Sequence, residues 1–196
     1  SYTKDGTEHY GVVTDDGGII DLTSRIGDTY PDLKSLIAGD GFAAATAAID
    51  GQSADLSVDD IDLLPVITNP DKIICVGLNY KAHREETGRA PTDHPALFLR
   101  FADTQIGHDH PMIKPSASDR FDYEGELAII IGKAGRHVKA KDYASIIAGY
   151  SIYNDGSVRD FQNHTIQWTA GKNFPHTGGF GPWMMTADEL GDPTQL

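Results

Sequence analysis

Residues 122–132 constrain the fold more than any other stretch: Asp122-Tyr123-Glu124-Gly125-Glu126-Leu127-Ala128-Ile129-Ile130-Ile131-Gly132. An apolar run closed by a glycine reads as a strand whose second half is buried on both faces. Residues i and i+2 of a strand point to the same side, about 6.6 Å apart. Glu124 and Glu126 therefore present two carboxylates side by side where the strand enters the core, with only Gly125 between them. Two like charges at the edge of a core are costly unless something neutralises them. A divalent cation does so, and all-oxygen ligation suits Mg²⁺, Mn²⁺ or Ca²⁺ better than Zn²⁺. Two solvated glutamates on an edge strand satisfy the same pattern, so spacing alone leaves both readings open.

Other residues add chemistry. Asp155 follows the apolar run Tyr150-Ser151-Ile152-Tyr153-Asn154 and precedes Gly156, a place for a third oxygen ligand or for a plain turn residue. His83 and Glu86, three apart on a short expected helix, share a face, and a carboxylate beside an imidazole makes a general base near neutral pH. Arg159, Gln162, Lys172 and His176 follow Asp155 in a loop-rich stretch, and such cations and amides suit a carboxylate or enolate. His108 and His110 flank Asp109 without a nearby Cys or second His pair, so that segment reads as solvated loop.

The chain has 196 residues, enough for one sizeable domain with a small appendage. Residues 1–68 read as a small N-terminal α+β domain and 70–196 as the metal-dependent catalytic domain. In the first, Asp15-Asp16-Gly17-Gly18 signals a hairpin, residues 31–36 a helix with Pro31 at its start, and 42–49 an alanine-rich helix. Pro65 and Pro70 bracket a linker. In the second, a buried strand is expected at 73–77, further strands at 96–100, 112–114, 124–131 and 149–154, a last strand-like piece at Trp183-Met184-Met185 in an otherwise loop-like stretch, and helices at 80–87 and 141–147.

Acidic residues outnumber basic ones 29 to 16, a net charge of −13. Such a surface repels phosphate backbones, so nucleic acid is not an expected partner. No apolar run approaches the ~20 residues that span a bilayer. Cys75 is the single cysteine and cannot form an internal disulfide. With no secretory pattern at the start, a cytoplasmic location is expected.

Taken in order, several motifs resemble the fumarylacetoacetate hydrolase family over about residues 70–190. They are Gly77-Leu78-Asn79-Tyr80-Lys81-Ala82-His83-Arg84-Glu85-Glu86, Leu97-Phe98-Leu99-Arg100, Asp122-Tyr123-Glu124-Gly125-Glu126-Leu127, the run from Gly149 through Asp155 to Asp160, and Gly171-Lys172-Asn173-Phe174. The resemblance implies an α+β fold: a mixed β-roll catalytic domain behind a small N-terminal domain, in a homodimer. It implies Mg²⁺ or Mn²⁺ on Glu124, Glu126 and Asp155, with Ca²⁺ as a substitute in crystals. His83 and Glu86 match a dyad on a lid, Lys172 matches a lysine beside metal and substrate, and Arg159 and Gln162 fall in the family's Asp-to-Gln site motif.

The implied activity is hydrolysis of the C–C bond of an acylpyruvate-type 2,4-dioxo acid, with a pyruvate enolate departing. The same site suits an isomerase or decarboxylase of 2-oxo or 2-hydroxy-dienoic diacids in aromatic-compound degradation. A non-catalytic metal-binding homologue is the alternative of a different kind. Three positions depart from the family pattern: Gly156, Val158, and Arg100 where Lys is frequent. Gly156 is expected to loosen the turn that aims Asp155. A Gly-Thr-Pro-Gly type loop that helps bind the substrate carboxylate is absent, so the chain is expected to be incomplete at its C-terminus.

Overall fold

The Asp-Asp-Gly-Gly turn folds as its composition dictates. Strands β3 (Gly11–Val13) and β4 (Gly18–Asp21) pair antiparallel around it. The computed structural model describes residues 1–86, 88, 90 and 93–196, and the side chain of His83 is outside the described set. Strand β5 (Leu56–Ser57) joins β4, while β1 (Tyr2–Lys4), β2 (Thr7–His9) and β6 (Asp62–Leu63) form a second sheet in the order β2-β1-β6. Helices α1 (Thr23–Ile26), α2 (Leu33–Ala38) and α3 (Phe42–Ile49) pack on a core of Tyr10, Leu22, Leu36 and Ala45.

Helix α2 starts later than Pro31 suggests. Asp32 is its cap: its side chain accepts from the Ser35 N–H, and the Ser35 hydroxyl accepts from the Asp32 N–H. This reciprocal capping box fixes the first turn, and Pro31 lies outside it.

The segment between Pro65 and Pro70 turns part of its length inward. Val66 is fully buried, and with Ile37 and Ile67 it packs against Ile130, Ala148, Tyr153 and Phe180. One hydrophobic cluster is thus shared by the N-terminal elements and the main sheet.

The rest of the chain runs β7 (Ile73–Gly77), α4 (Lys81–Glu86), β8 (Ala96–Arg100), β9 (Gln105–Ile106), β10 (Phe121–Asp122), β11 (Gly125–Ile131), β12 (Ile147–Asp155), β13 (Ser157–Val158), α5 (Arg159–Gln162), α6 (Thr169–Lys172), β14 (Gly178–Thr186) and α7 (Ala187–Leu190). The largest sheet has the order β11-β12-β14-β9, antiparallel except for β14 with β9. Pairs β7–β8 and β10–β13 lie beside it. The architecture is α+β, as expected.

Four local expectations change. Strands β7 and β11 each leave one face open, with Ile74 57% and Ile129 51% exposed, and their other faces are mostly only partly covered. Residues 140–146 form a 3₁₀ helix rather than an α-helix. Residues 112–114 form no strand, although the Ile113 N–H donates to the His176 carbonyl. Strand β14 is nine residues long where glycine and proline conceal all but Trp183-Met184-Met185. Among the described residues no helix is long and apolar enough to cross a membrane.

Candidate functional site

Two antiparallel ladders meet beside the first strand feature. Pair β11–β12 sets Gly125 opposite Asn154 and Glu126 opposite Tyr153; pair β10–β13 sets Asp122 opposite Ser157. Between them the Asp155 N–H donates to the Glu124 carbonyl at 2.8 Å. This backbone bond brings Glu124 and Asp155 together although 31 positions separate them in sequence.

Their side chains share a cation. Lys172 Nζ, on α6, donates to Glu124 Oε2 at 2.6 Å and to Asp155 Oδ2 at 2.7 Å. Lys172 is 1% exposed and its ammonium also lies 5.0 Å from the centre of the Phe98 ring. Close packing delivers it there: a Cβ at Gly171 would come 2.4 Å from the Gln162 backbone nitrogen. Asn173 then pins α6 to β8, accepting from the Phe101 N–H and donating to the Leu99 carbonyl.

Arg159 serves the other side of Glu124. Its Nη1 donates to Glu124 Oε1 and to Gln162 Oε1, and its Nε and Nη2 both donate to Asp122 Oδ2. Arg159, expected with Gln162 to meet substrate, here orients Glu124, and Gln162 accepts from the same Arg159 nitrogen. Burial pushes the Glu124 carboxyl up, but Lys172 and Arg159 outweigh it and hold the group below its ordinary value. Arg100, buried at the end of β8, donates to the remaining Asp155 oxygen, Oδ1, at 2.6 Å.

Glu126 stands apart from these ion pairs. Its carboxyl is raised, first by burial and then by the charges of Glu124 and Asp155, and the Tyr80 hydroxyl is hydrogen-bonded to it. That hydroxyl also accepts from the Leu127 N–H at 3.3 Å. A half-buried carboxylate beside two others fits a hard divalent cation in donor chemistry. As the side chains stand, no group of three His, Cys, Asp or Glu among the described residues converges tightly enough to hold an ion. Glu124 and Asp155 do converge, and the Lys172 ammonium lies between their carboxylates.

Helix α4 carries His83 and Glu86. Glu86 is exposed at its end, and the His83 side chain lies outside the described residues. His176 is exposed before β14. His108 and His110 line a shallow pocket with Ile152 and Asn154, which alternate with Tyr153 and Asp155 along β12 and face away from the carboxylates. Sequence reasoning gave no role to Asp122, Arg100 and Tyr80. The inward alternation of Phe98 and Arg100 between exposed Leu97 and Leu99 was the available signal for Arg100.

Fold and site together define an α+β protein that encloses a carboxylate–cation cluster where two strand ladders part. Residues 72–196 match the family model described as fumarylacetoacetate (FAA) hydrolase C-terminal, and the chain belongs to that family. The human mitochondrial oxaloacetate tautomerase FAHD2A is 33% identical over 193 residues, 96% of this chain and 62% of that protein. Its counterpart from Xenopus laevis is 36% identical over 93% of this chain and 58% of that protein. The chain thus spans about three fifths of these relatives. The fumarylacetoacetate hydrolase structure from Exiguobacterium antarcticum superposes with a TM-score of 0.76 at 30% identity, over 98% of this chain and 67% of that one. The 2-hydroxyhepta-2,4-diene-1,7-dioate isomerase from Mycobacterium marinum does so at 0.59 and 35% identity, over 69% of this chain and 49% of that one. The names of these relatives are those of enzymes: tautomerase, hydrolase and isomerase.

Proposed function

We propose that this protein interconverts keto and enol, or double-bond, isomers of a small 2-oxo acid with the help of a divalent cation. The observation that carries the reading is the enclosed Lys172 ammonium shared by Glu124 and Asp155, with Glu126 alongside. Glu124, Glu126 and Asp155 would hold Mg²⁺ or Mn²⁺. When bound, the cation supplies Lewis-acid polarisation of the 2-oxo group. Lys172 Nζ donates to the oxygen on which enolate charge develops, and its burial strengthens that donation. Arg159 and Asp122 keep Glu124 in one orientation. His83, oriented by Glu86, moves the proton at the carbon beside the 2-oxo group.

The tautomerase and isomerase names among the relatives favour isomerisation over the C–C hydrolysis expected from sequence, while the Exiguobacterium antarcticum relative carries a hydrolase's name. Both need enolate stabilisation, but isomerisation needs no water as nucleophile. A second copy of the chain as partner remains part of this reading. The test follows the ultraviolet absorbance of oxaloacetate enol with protein and Mg²⁺, then with chelator. Metal-dependent decay to the keto form, without cleavage products, supports isomerisation. Stoichiometric cleavage of an acylpyruvate to pyruvate would restore the hydrolase reading.

A further inference from the structure

Arg100 is held more firmly than an ordinary ion-pair partner. Its side chain is fully enclosed. Nη1 donates to Asp155 Oδ1 at 2.6 Å and to the Gly156 carbonyl at 3.1 Å, while Nη2 donates to Thr177 Oγ1 at 2.9 Å. The guanidinium carbon lies 5.7 Å from the centre of the Tyr153 ring. Strand β14 passes this group only because residue 178 is glycine: a Cβ there would come 2.3 Å from the Tyr153 hydroxyl and 2.9 Å from Arg100 Nη2. A planar fork gripped from several sides keeps its charge and its donors in one place.

We propose that Arg100 is a positioning residue. It holds Asp155 Oδ1 so that a divalent cation would meet Asp155 through Oδ2, the oxygen that accepts from Lys172 Nζ beside Glu124. This rests on the reading that the cluster holds a divalent cation. Arg100 grips the far oxygen of Asp155, and so acts through it.

Two effects of Arg100 have opposite signs. Its positive charge repels a nearby divalent cation, so a purely electrostatic role predicts tighter metal binding once the charge is removed. Its geometric role predicts weaker binding, because an enclosed Oδ1 without a partner turns the carboxylate to find one. Geometry dominates here, since the Arg100 donors on β8 are fixed by acceptors at the end of β12, in the turn after it and just before β14. Lysine would supply the charge as a point and could not reach Oδ1, the Gly156 carbonyl and Thr177 in the same plane.

Mn²⁺ binding decides it, measured by electron paramagnetic resonance and calorimetry on the wild-type protein, Arg100→Lys and Arg100→Gln. The Gln variant should bind roughly 10- to 100-fold more weakly, the range found when a partner orienting a metal ligand is lost. The Lys variant should lie between, about threefold weaker than wild type. A change in the bound-Mn²⁺ spectrum of the Gln variant should accompany the loss, which a merely structural role would not produce. Equal or tighter binding by the Gln variant overturns the proposal. If that variant does not fold, wild-type affinity in the Lys variant overturns it. Absence of Mn²⁺ binding by the wild type is a different failure: it removes the cation reading and this proposal with it.

Discussion

Glu124 and Asp155 are tied to each other twice, by the backbone bond from the Asp155 N–H to the Glu124 carbonyl and by the Lys172 ammonium between their carboxylates. The first bond spans the gap between the two ladders and fixes where the two residues are. The second sets which oxygens face each other.

Removing Lys172 should therefore be costly. Lys172→Met leaves two carboxylates, one of them enclosed, without their shared cation, and breaking such a pair costs about 3–5 kcal/mol. Urea denaturation measures it. Mn²⁺ at 100 times its dissociation constant should return about 2.7 kcal/mol by mass action. A loss below about 1 kcal/mol would show that the ammonium is not needed there.

Gly156 tightens the turn after Asp155. A Cβ at that position would meet the Thr177 carbonyl oxygen at 2.4 Å and the Met112 methyl at 2.3 Å. Gly156→Ala should cost roughly 1–3 kcal/mol, since a backbone oxygen cannot step aside as a flexible side chain does. Gly179→Ala is the control: its Cβ would make ordinary contact with Asn154 at 3.5 Å. Equal melting temperatures for the two variants would contradict this packing.

The α2 cap carries a pH dependence. Burial pushes the Asp32 carboxyl up, but the Ser35 amide, Asn69 and the Ser35 hydroxyl together hold it below its ordinary value. A depressed carboxyl stabilises the fold above its unfolded pKa, and that stability is lost as pH falls through the folded value. Asp32→Ala should cost about 1 kcal/mol at neutral pH. The difference from wild type should shrink in acid as Asp32 protonates. A constant difference from neutral pH down to full protonation would be evidence against the cap.

Cys75 should be a slow thiol. Burial in β7, followed by the charge of Asp155, pushes its pKa up to about 12. Only the thiolate reacts. Iodoacetamide at pH 8 should leave the native protein largely unmodified and label it rapidly in urea. Rapid labelling of the native protein would mean that β7 opens readily.

The strand feature at 124–131 was legible because period-two spacing and an apolar run are local signals. Its partner Asp155 was legible because a strand end before glycine is local too. Lys172 and Arg159 could be named from resemblance, but their contacts could not, since close approach at Gly171 joins elements far apart in sequence. The exposed faces of β7 and β11 misled for a physical reason: an apolar run shows what a strand is able to bury, not which faces are covered. Strand β14 was concealed because Gly178, which makes room for Tyr153 and Arg100, and the glycines beside it read locally as loop. The His83–Glu86 pairing rests on helical spacing and resemblance alone.

The most direct test is deuterium incorporation at the carbon beside the 2-oxo group of oxaloacetate in D₂O, followed by proton magnetic resonance with Mg²⁺ and protein. Exchange faster than with Mg²⁺ alone, abolished by chelator and lost in both Glu126→Ala and Lys172→Met, is the predicted result. Exchange no faster than with Mg²⁺ alone, or unchanged in both variants, would contradict the assignment of this cluster as the site of enolisation.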